Sequence, residues 1–423
     1  MTKFKHSPLQ ATQTPSAASR RSFLQTAVAS FALLAASPSA GAQQTPSSLE
    51  QQHAEGTFGW DAPIPDKKKA WENFSFSIDR WWGDFPKDQP DSMDMFADNE
   101  WAIGPFTKFA SNPVLAPTPG AWDRGRFSGG VHNGSIIVKD NVFYYIYRGE
   151  RPNDHPQPSE GDVFDDIGVA ISEDGIHFKK DTEHSPFFRK GEDSKYIYFD
   201  ANVVRYEDTY YLFCNQWLLN NAKDNRQNGV FLATSKDLLN WKKVGIVFPD
   251  AKRSHRNGVV LENPHNEAIK VNGQFVMYLD FGIIAYSKDL LHWESHENKN
   301  VLPGGECCFA LGEYDPAKPD NIILFTGGAH TGHFYGVGEV HLSKSDPEKV
   351  LGWLPRAALF AEKKYPFENG FTAEAPHTLI SEYSDCIFFN ALTQHDGKWW
   401  IYYGGSEYYT CLATAPVRHR KAT

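Results

Sequence analysis

HNGSIIVKDNVFYYIYRG, residues 132–149, is an apolar strand opened by small polar groups, a turn at Asp140-Asn141, and a second, aromatic-rich strand. The plan returns in DANVVRYEDTYYLFCN from Asp200, ENPHNEAIKVNGQFVMYLD from Glu262 and FFNALTQHDGKWWIYYGG from Phe388. A fainter copy, ECCFALGEYDPAKPDNIILFTGG, starts at Glu306. Hairpins repeated every few tens of residues, each with its own core face, predict an all-β, five-bladed β-propeller in a single domain. Equivalent ends of the blades then meet at one axis, so the polar openings converge on one central site.

A second motif recurs downstream of the hairpins. It reads GVAISEDGIHF from Gly168, GVFLATSKDLLNW from Gly229, IIAYSKDLLHW from Ile283 and, more weakly, GEVHLSKSDPEKVLGW from Gly338. Each is a short strand, a Ser-led acidic turn and an aromatic: Phe178, Trp241, Trp293 or Trp353. These rings are expected to seal blade interfaces, since they repeat at equivalent positions away from the axis. The last strand, YTCLATA from Tyr409, needs a partner, and Trp101–Phe109 is expected to close the ring and remove the open edge.

The ends and composition set the context. Arg20-Arg21, an apolar stretch from Ala27 to Ala36 and Ala40-Gly41-Ala42 form a twin-arginine export pattern with a small-residue cleavage site. The expected domains are therefore a signal peptide over 1–42, an N-terminal extension over 43–100 and the propeller over 101–418. The extension is expected to be an irregular wrap with a short helix over 67–74. The expected location is periplasmic or secreted, with no membrane span in the mature protein. The formal net charge of −10 argues against a nucleic-acid partner. Five cysteines without C-x-x-C spacing read as buried thiols.

The ordered set NPVLAPTPGAWD, YYIYRGE, GVFLATSKDLLNWKKVGIVFP and DGKWWIYYGG followed by CLATAPV resembles the five-bladed propeller glycosidases of family 130. The segment from Glu262 resembles the acid-bearing segment of family 43, and family 117 is a more distant echo. The resemblance spans Asn112 to Ala415 and implies a glycoside hydrolase working on an oligosaccharide or polysaccharide of plant or algal origin. Family 43 places three carboxylates on the inner strands of its first three blades. Asp200 matches the second, which is also where family 130 holds its catalytic Asp. Glu262 matches the third, the general acid. Asn133 stands where the first, the base, belongs, and an amide takes no proton at neutral pH. Arg148 matches an arginine that family 130 places near its sugar.

Glycoside hydrolysis needs one protonated and one ionised carboxyl group across the scissile bond. The axis-facing candidates are Asp200, Glu262 and Glu306, and Asp123 and Glu374 lie in loops that could reach the mouth. Glu306 or Asp123 would supply the missing base. His132, Asn133, Arg148, His265 and Asn390 are the candidate sugar-binding residues, with Trp217 and Tyr198 as rim aromatics. No cofactor is implied, and no His-x-His or His-x-x-x-His spacing suggests a metal. Two rivals stay open: a non-catalytic sugar-binding propeller, and a phosphorylase, which would need a basic cluster for phosphate.

Overall fold

The computed structural model describes residues 94–418, apart from 119–120, 124–129, 152–163, 189–195, 219–227, 252–254, 298–305, 331–332, 355, 363 and 369–385. The expected signal peptide, most of the expected extension with its helix over 67–74, and Glu374 lie outside the described residues. Within them, only the five-residue helix Asp94–Asp98 and two single 3-10 turns interrupt the strands. No helix among the described residues is long and apolar enough to cross a membrane.

The chain is a five-bladed β-propeller. Blade 1 pairs Gly130–Lys139, Val142–Arg151, Phe164–Ser172 and Lys179–Lys180 in order. Blade 2 repeats this with Tyr196–Tyr206, Thr209–Leu218, Gly229–Ser235 and Lys242–Ile246. Blade 3 runs from Val259–Glu262 through Gln274–Leu279 and Ile283–Ser287 to Trp293–Glu297. Blade 4 runs from Glu306–Gly312 through Asn321–His330 and His333–Ser343 to Val350–Trp353. The inner strands of blades 3 and 4 pair in parallel, Leu261 with Ala310 and Glu262 with Leu311, so these two blades form one continuous sheet.

Blade 5 holds Ile387–His395, Lys398–Gly405 and Tyr409–Pro416. Its fourth strand comes from the other end of the domain: Thr107–Lys108 pairs with Thr414 and Ala413. The closing strand is shorter than the sequence predicts. Pro105 has no N–H to donate, so pairing begins only beyond it. Lys108 is then pinned by Glu368 at 2.6 Å, and both side chains are buried.

Side chains of a strand alternate between the two faces of its sheet. In a propeller each face meets a neighbouring blade, so the core divides into five seams. Ile137, Ile146, Val203 and Leu212 fill the seam between blades 1 and 2. Val204, Phe213, Val260 and Met277 fill the next. Val259, Tyr278, Ala310 and Leu324 join blades 3 and 4. Phe309, Phe325, Phe389 and Tyr403 join blades 4 and 5. Ile136, Tyr145, Tyr402 and Leu412 close the ring between blades 5 and 1.

Phe178, Trp241 and Trp293 pack into these seams as their motif predicts. Trp353 does not: it is 39% exposed on the outermost strand of blade 4. The fourth copy of the turn, with Pro347 and three further residues before Trp353, is longer and carries the ring past the seam. Tyr198, read as a rim aromatic, is 1% exposed and packs against Phe188 and Phe231 in the core. All five cysteines are free thiols, four of them buried and Cys308 partly so.

Candidate active site

The inner strands carry an irregularity at equivalent places. Register shifts fall between His132 and Ser135, Phe199 and Asn202, Cys307 and Phe309, and Phe389 and Ala391. A bulge of this kind re-aims a side chain out of the ladder. The re-aimed residues are Asn133, Asp200, Cys308 and Asn390, and Asn257 takes the same place just before the inner strand of blade 3. Asn133, Asp200 and Asn257 hold positive φ of 44°, 57° and 52°, which Asn and Asp tolerate best. Gly134 follows Asn133 because a Cβ there would stand 2.4 Å from the carbonyl oxygen of Ile146. These five positions line a small axial cavity of about 20 Å³, room for one water-sized group.

A belt of side-chain hydrogen bonds joins them. Asn390 Nδ2 donates to the Tyr145 hydroxyl at 2.8 Å, and Asn390 Oδ1 accepts from the Asn133 backbone N–H at 3.1 Å. Asn133 Nδ2 donates to Asp200 Oδ1 at 2.9 Å. Asn215 Nδ2 reaches Asp200 Oδ2 at 3.2 Å and Asn257 Oδ1 at 2.6 Å. Asn257 Nδ2 continues to Asp280 Oδ2 at 3.0 Å, and Asp280 Oδ1 accepts from the Cys307 N–H at 2.9 Å. Asp200 is thus the one carboxylate among the five axial side chains, with both oxygens engaged as acceptors. The Asn133 amide that breaks the family 43 pattern is a donor to it. An Asp at 133 would set two carboxylates against each other.

Charged groups surround this floor. Arg148 reaches Asp165 at 3.0 Å, Glu150 at 3.4 Å and Asp200 at 3.5 Å. Fully buried His132 meets Glu150 at 3.3 Å through Nε2, while its Nδ1 has no partner. Arg256 meets Asp280 at 3.1 Å and Glu306 at 3.2 Å. Burial alone would raise the Glu150 carboxyl, but Arg148 and the His132 bond override it and hold it low. Burial raises Asp165 above the usual range despite Arg148. Glu407, in the turn between the last two strands, is pushed by burial up to about 7, against the pull of His132 and Arg148. The site therefore holds acids pushed in opposite directions, the arrangement that separates a proton donor from an acceptor.

Several expected residues stand elsewhere. Glu262 is not at the axis. It lies five residues beyond Asn257, about 16 Å along an extended strand. By alternation it shares the side of Val260, in the seam with blade 2. There it is fully buried, bonded to Asn266 Nδ2 at 2.9 Å, and burial pushes its carboxyl well up. Asp123 does not reach the mouth. It is buried and paired with Lys180, and it accepts from the Thr118 N–H at 3.1 Å and the Tyr147 hydroxyl at 3.4 Å, so it ties a loop to the outer edge of blade 1. His265 is exposed in the turn after Glu262, with its N–H bonded to Asn263 Oδ1 at 2.9 Å. Glu306 lies two residues before the axial Cys308 and reaches the site through Arg256. Asp200, His132, Asn133, Arg148 and Asn390 come together.

Glu150, Asp165, Asp280, Asn257 and Glu407 were missed. One signal was available: Arg256-Asn257-Gly258-Val259-Val260 repeats the spelling of His132-Asn133-Gly134-Ser135-Ile136. That alignment sets the blade 3 register at Asn257 and removes Glu262 from the axis.

A five-bladed propeller with a carboxylate-rich pocket at its axis resembles the glycoside-processing enzymes, and the comparisons with known proteins agree. No family model matches the chain. A 1,2-beta-oligomannan phosphorylase of Thermoanaerobacter sp. (strain X514) is 26% identical over 315 residues, 71% of this chain and 93% of that one. Among solved structures, a glycosyl hydrolase from Bacteroides ovatus superposes with a TM-score of 0.59 at 21% identity, covering 76% of this chain and 97% of its own. Another comes from the GH130 family of mannoside phosphorylases, which contains glycoside hydrolases that target beta-1,2 mannosidic linkages in Candida mannan. It has a TM-score of 0.56 at 21% identity and covers 79% of this chain and 98% of its own. The chain resembles the five-bladed propeller glycosidases on the family 130 side.

Proposed function

We propose that this protein hydrolyses a glycosidic bond of a β-mannoside, with water as the acceptor. The feature that carries this is Glu407, whose carboxyl is pushed up to about 7 by burial and the nearby Asp200 charge, with Asp200's own oxygens arrayed as acceptors on the axis. Glu407 would give its proton to the leaving oxygen as the C1–O bond breaks. Asp200 would take the proton of the water that adds to C1. The mannoside substrate rests on the relatives, which act on β-1,2-linked mannose. It replaces the broader expectation of a plant or algal polysaccharide.

Phosphorolysis is the second reading, favoured by the kinship to an oligomannan phosphorylase. Electrostatics oppose it. Among the described residues, the acids Glu150, Asp165, Asp200, Asp280, Glu306 and Glu407 outnumber the basic groups Arg148, Arg256 and His132, and both guanidiniums already engage two or more of these acids. A phosphate dianion would enter against that excess. One assay decides: β-1,2-mannobiose incubated from pH 5 to 9, with and without phosphate. The expected product is free mannose at a rate indifferent to phosphate. Mannose 1-phosphate would overturn hydrolysis, and binding without turnover would return the protein to the sugar-binding reading. The rate is expected to fall as pH rises through about 7, because Glu407 then loses the proton it donates.

The twin-arginine leader supports export of the folded enzyme, where polymer fragments are met. Changing Arg20 and Arg21 to Lys together is expected to leave the protein in the cytoplasmic fraction. An unchanged distribution on fractionation would sink export by this route.

A further inference from the structure

Four turns among the described residues hold positive φ at two successive positions. Such a hairpin turn passes through the left-handed region twice, and Asn-Gly, Asp-Gly and close variants are what it favours. Three of the four comply: Asp140-Asn141 at 52° and 61°, Asn272-Gly273 at 51° and 82°, and Asp396-Gly397 at 48° and 69°. The fourth is Ser406-Glu407, at 51° and 51°. It joins Lys398–Gly405 to Tyr409–Pro416 in blade 5, and the Tyr408 N–H closes it on the Gly405 carbonyl at 3.1 Å. Neither Ser nor Glu is favoured in this conformation. Glu207 and Glu313 also hold positive φ, but singly and at exposed positions. Ser406 and Tyr408 are buried, with Glu407 partly exposed between them.

The disfavoured turn is held from outside its own hairpin. The Ser406 N–H donates to the Cys386 carbonyl at 3.0 Å, and the Val131 N–H donates to the Tyr408 carbonyl at 3.1 Å. Thr410 Oγ1 donates to the Val131 carbonyl at 2.6 Å. Gly130 leaves the space the turn needs: a Cβ there would stand 2.9 Å from the Glu407 carbonyl oxygen and 2.7 Å from the His132 ring. The first strand of blade 1 therefore clamps the turn. A residue kept in a disfavoured conformation by its surroundings points to a use for that conformation. The groups that act on the Glu407 carboxyl are His132, Arg148, Glu150 and Asp200, all on blades 1 and 2.

We infer that the left-handed Ser406-Glu407 turn is a positioning device, built at a cost to stability, that carries the Glu407 carboxyl across the closing seam from blade 5 to the axial groups of blades 1 and 2, with Ser406 as the positioning residue. The inference rests on the hydrolase reading for the task of Glu407 and adds how the fold aims it.

Two variants separate the Ser406 hydroxyl from its backbone. Ser406→Thr keeps the hydroxyl, but its branched Cβ resists positive φ. Ser406→Gly loses the hydroxyl and accepts positive φ freely. With β-1,2-mannobiose, Ser406→Thr is expected to lower kcat about tenfold or more with little change in KM, as misplacement of a reacting group does. The alkaline fall in its rate is expected to move to lower pH, because the carboxyl leaves its buried place. Ser406→Gly is expected to keep the rate and the pH profile of the unchanged protein. The opposite order would assign the role to the hydroxyl and overturn the inference, as would a Ser406→Thr profile that superposes on the unchanged one.

Strain is read without substrate. Glu407→Asn and Glu407→Gln both remove the charge, but Asn is at home in the left-handed region. In urea, the folding equilibrium constant of the Glu407→Asn protein is expected to exceed that of the Glu407→Gln protein about fivefold. Equal values would overturn the device whatever the activity. If the unchanged protein left mannobiose intact, the mannoside reading would fail by itself, and the urea comparison would still decide whether the turn stores strain.

Discussion

Asp200→Asn is expected to lower kcat by about 10³-fold or more, with a small change in KM. General acid–base groups typically contribute factors of about 10² to 10⁴, and this one is held from three sides. Asn133 and Asn215 each donate to a separate oxygen, at 2.9 and 3.2 Å, and Arg148 approaches at 3.5 Å. An amide in its place is isosteric, but it turns one acceptor into a donor. That donor faces either Asn133 Nδ2 or Asn215 Nδ2, so one belt hydrogen bond is lost as well. The belt crosses several blades, and the variant is therefore expected to unfold at somewhat lower denaturant concentration. Binding measured separately from turnover distinguishes the two effects, because a KM rise without a kcat loss would mean misplacement only. A kcat within tenfold of the unchanged protein would remove Asp200 from the chemistry.

The blades were legible in the sequence because a hairpin is a local object. Period-two alternation and turn residues such as Asp140-Asn141 or Asn272-Gly273 mark each one. The closing strand was legible for a different reason: a truncated final blade needs a partner. The site was only half legible. Asp200, Asn133 and Asn390 could be found because their bulges lie within the repeated line. Glu262 misled because resemblance to one short segment outweighed register. A buried acid near a strand end reads the same as an axial one until alternation is counted from a fixed point, and Asn257 was that point. Glu150, Asp165 and Glu407 were not legible at all. They sit on second and third strands or in turns, and what matters about them is which charges the fold brings near. Burial of Glu407 beside His132 and Arg148 joins blade 5 to blade 1, and no spacing in the sequence encodes that.

Glu339 shows the same limit on the structural side of the ledger, and Glu339→Gln is expected to stabilise the protein at neutral and alkaline pH. The carboxyl is fully buried in blade 4. Its Oε2 accepts from the Ile103 N–H at 2.9 Å, just ahead of the closing strand, and its Oε1 has no partner. Burial raises it to about 8, more than the Ile103 bond and distant Arg418 can offset. An unfolded Glu titrates near 4.3. The folded state thus binds a proton that the unfolded chain releases, and stability declines as pH rises between those two values. With about 1.4 kcal/mol per pH unit, the loss by pH 7 is on the order of 3 kcal/mol. A glutamine keeps the acceptor for Ile103 and has nothing to ionise. Urea unfolding at pH 5 and pH 8 is therefore expected to show the variant well ahead at pH 8 and nearly level at pH 5. Parallel pH dependences would mean that the Glu339 carboxyl is not protonated in the seam. Ring closure would then be insensitive to pH on this side, held by the pairing of Thr107 and Lys108 with blade 5, the Lys108–Glu368 ion pair and the Ile103–Glu339 hydrogen bond.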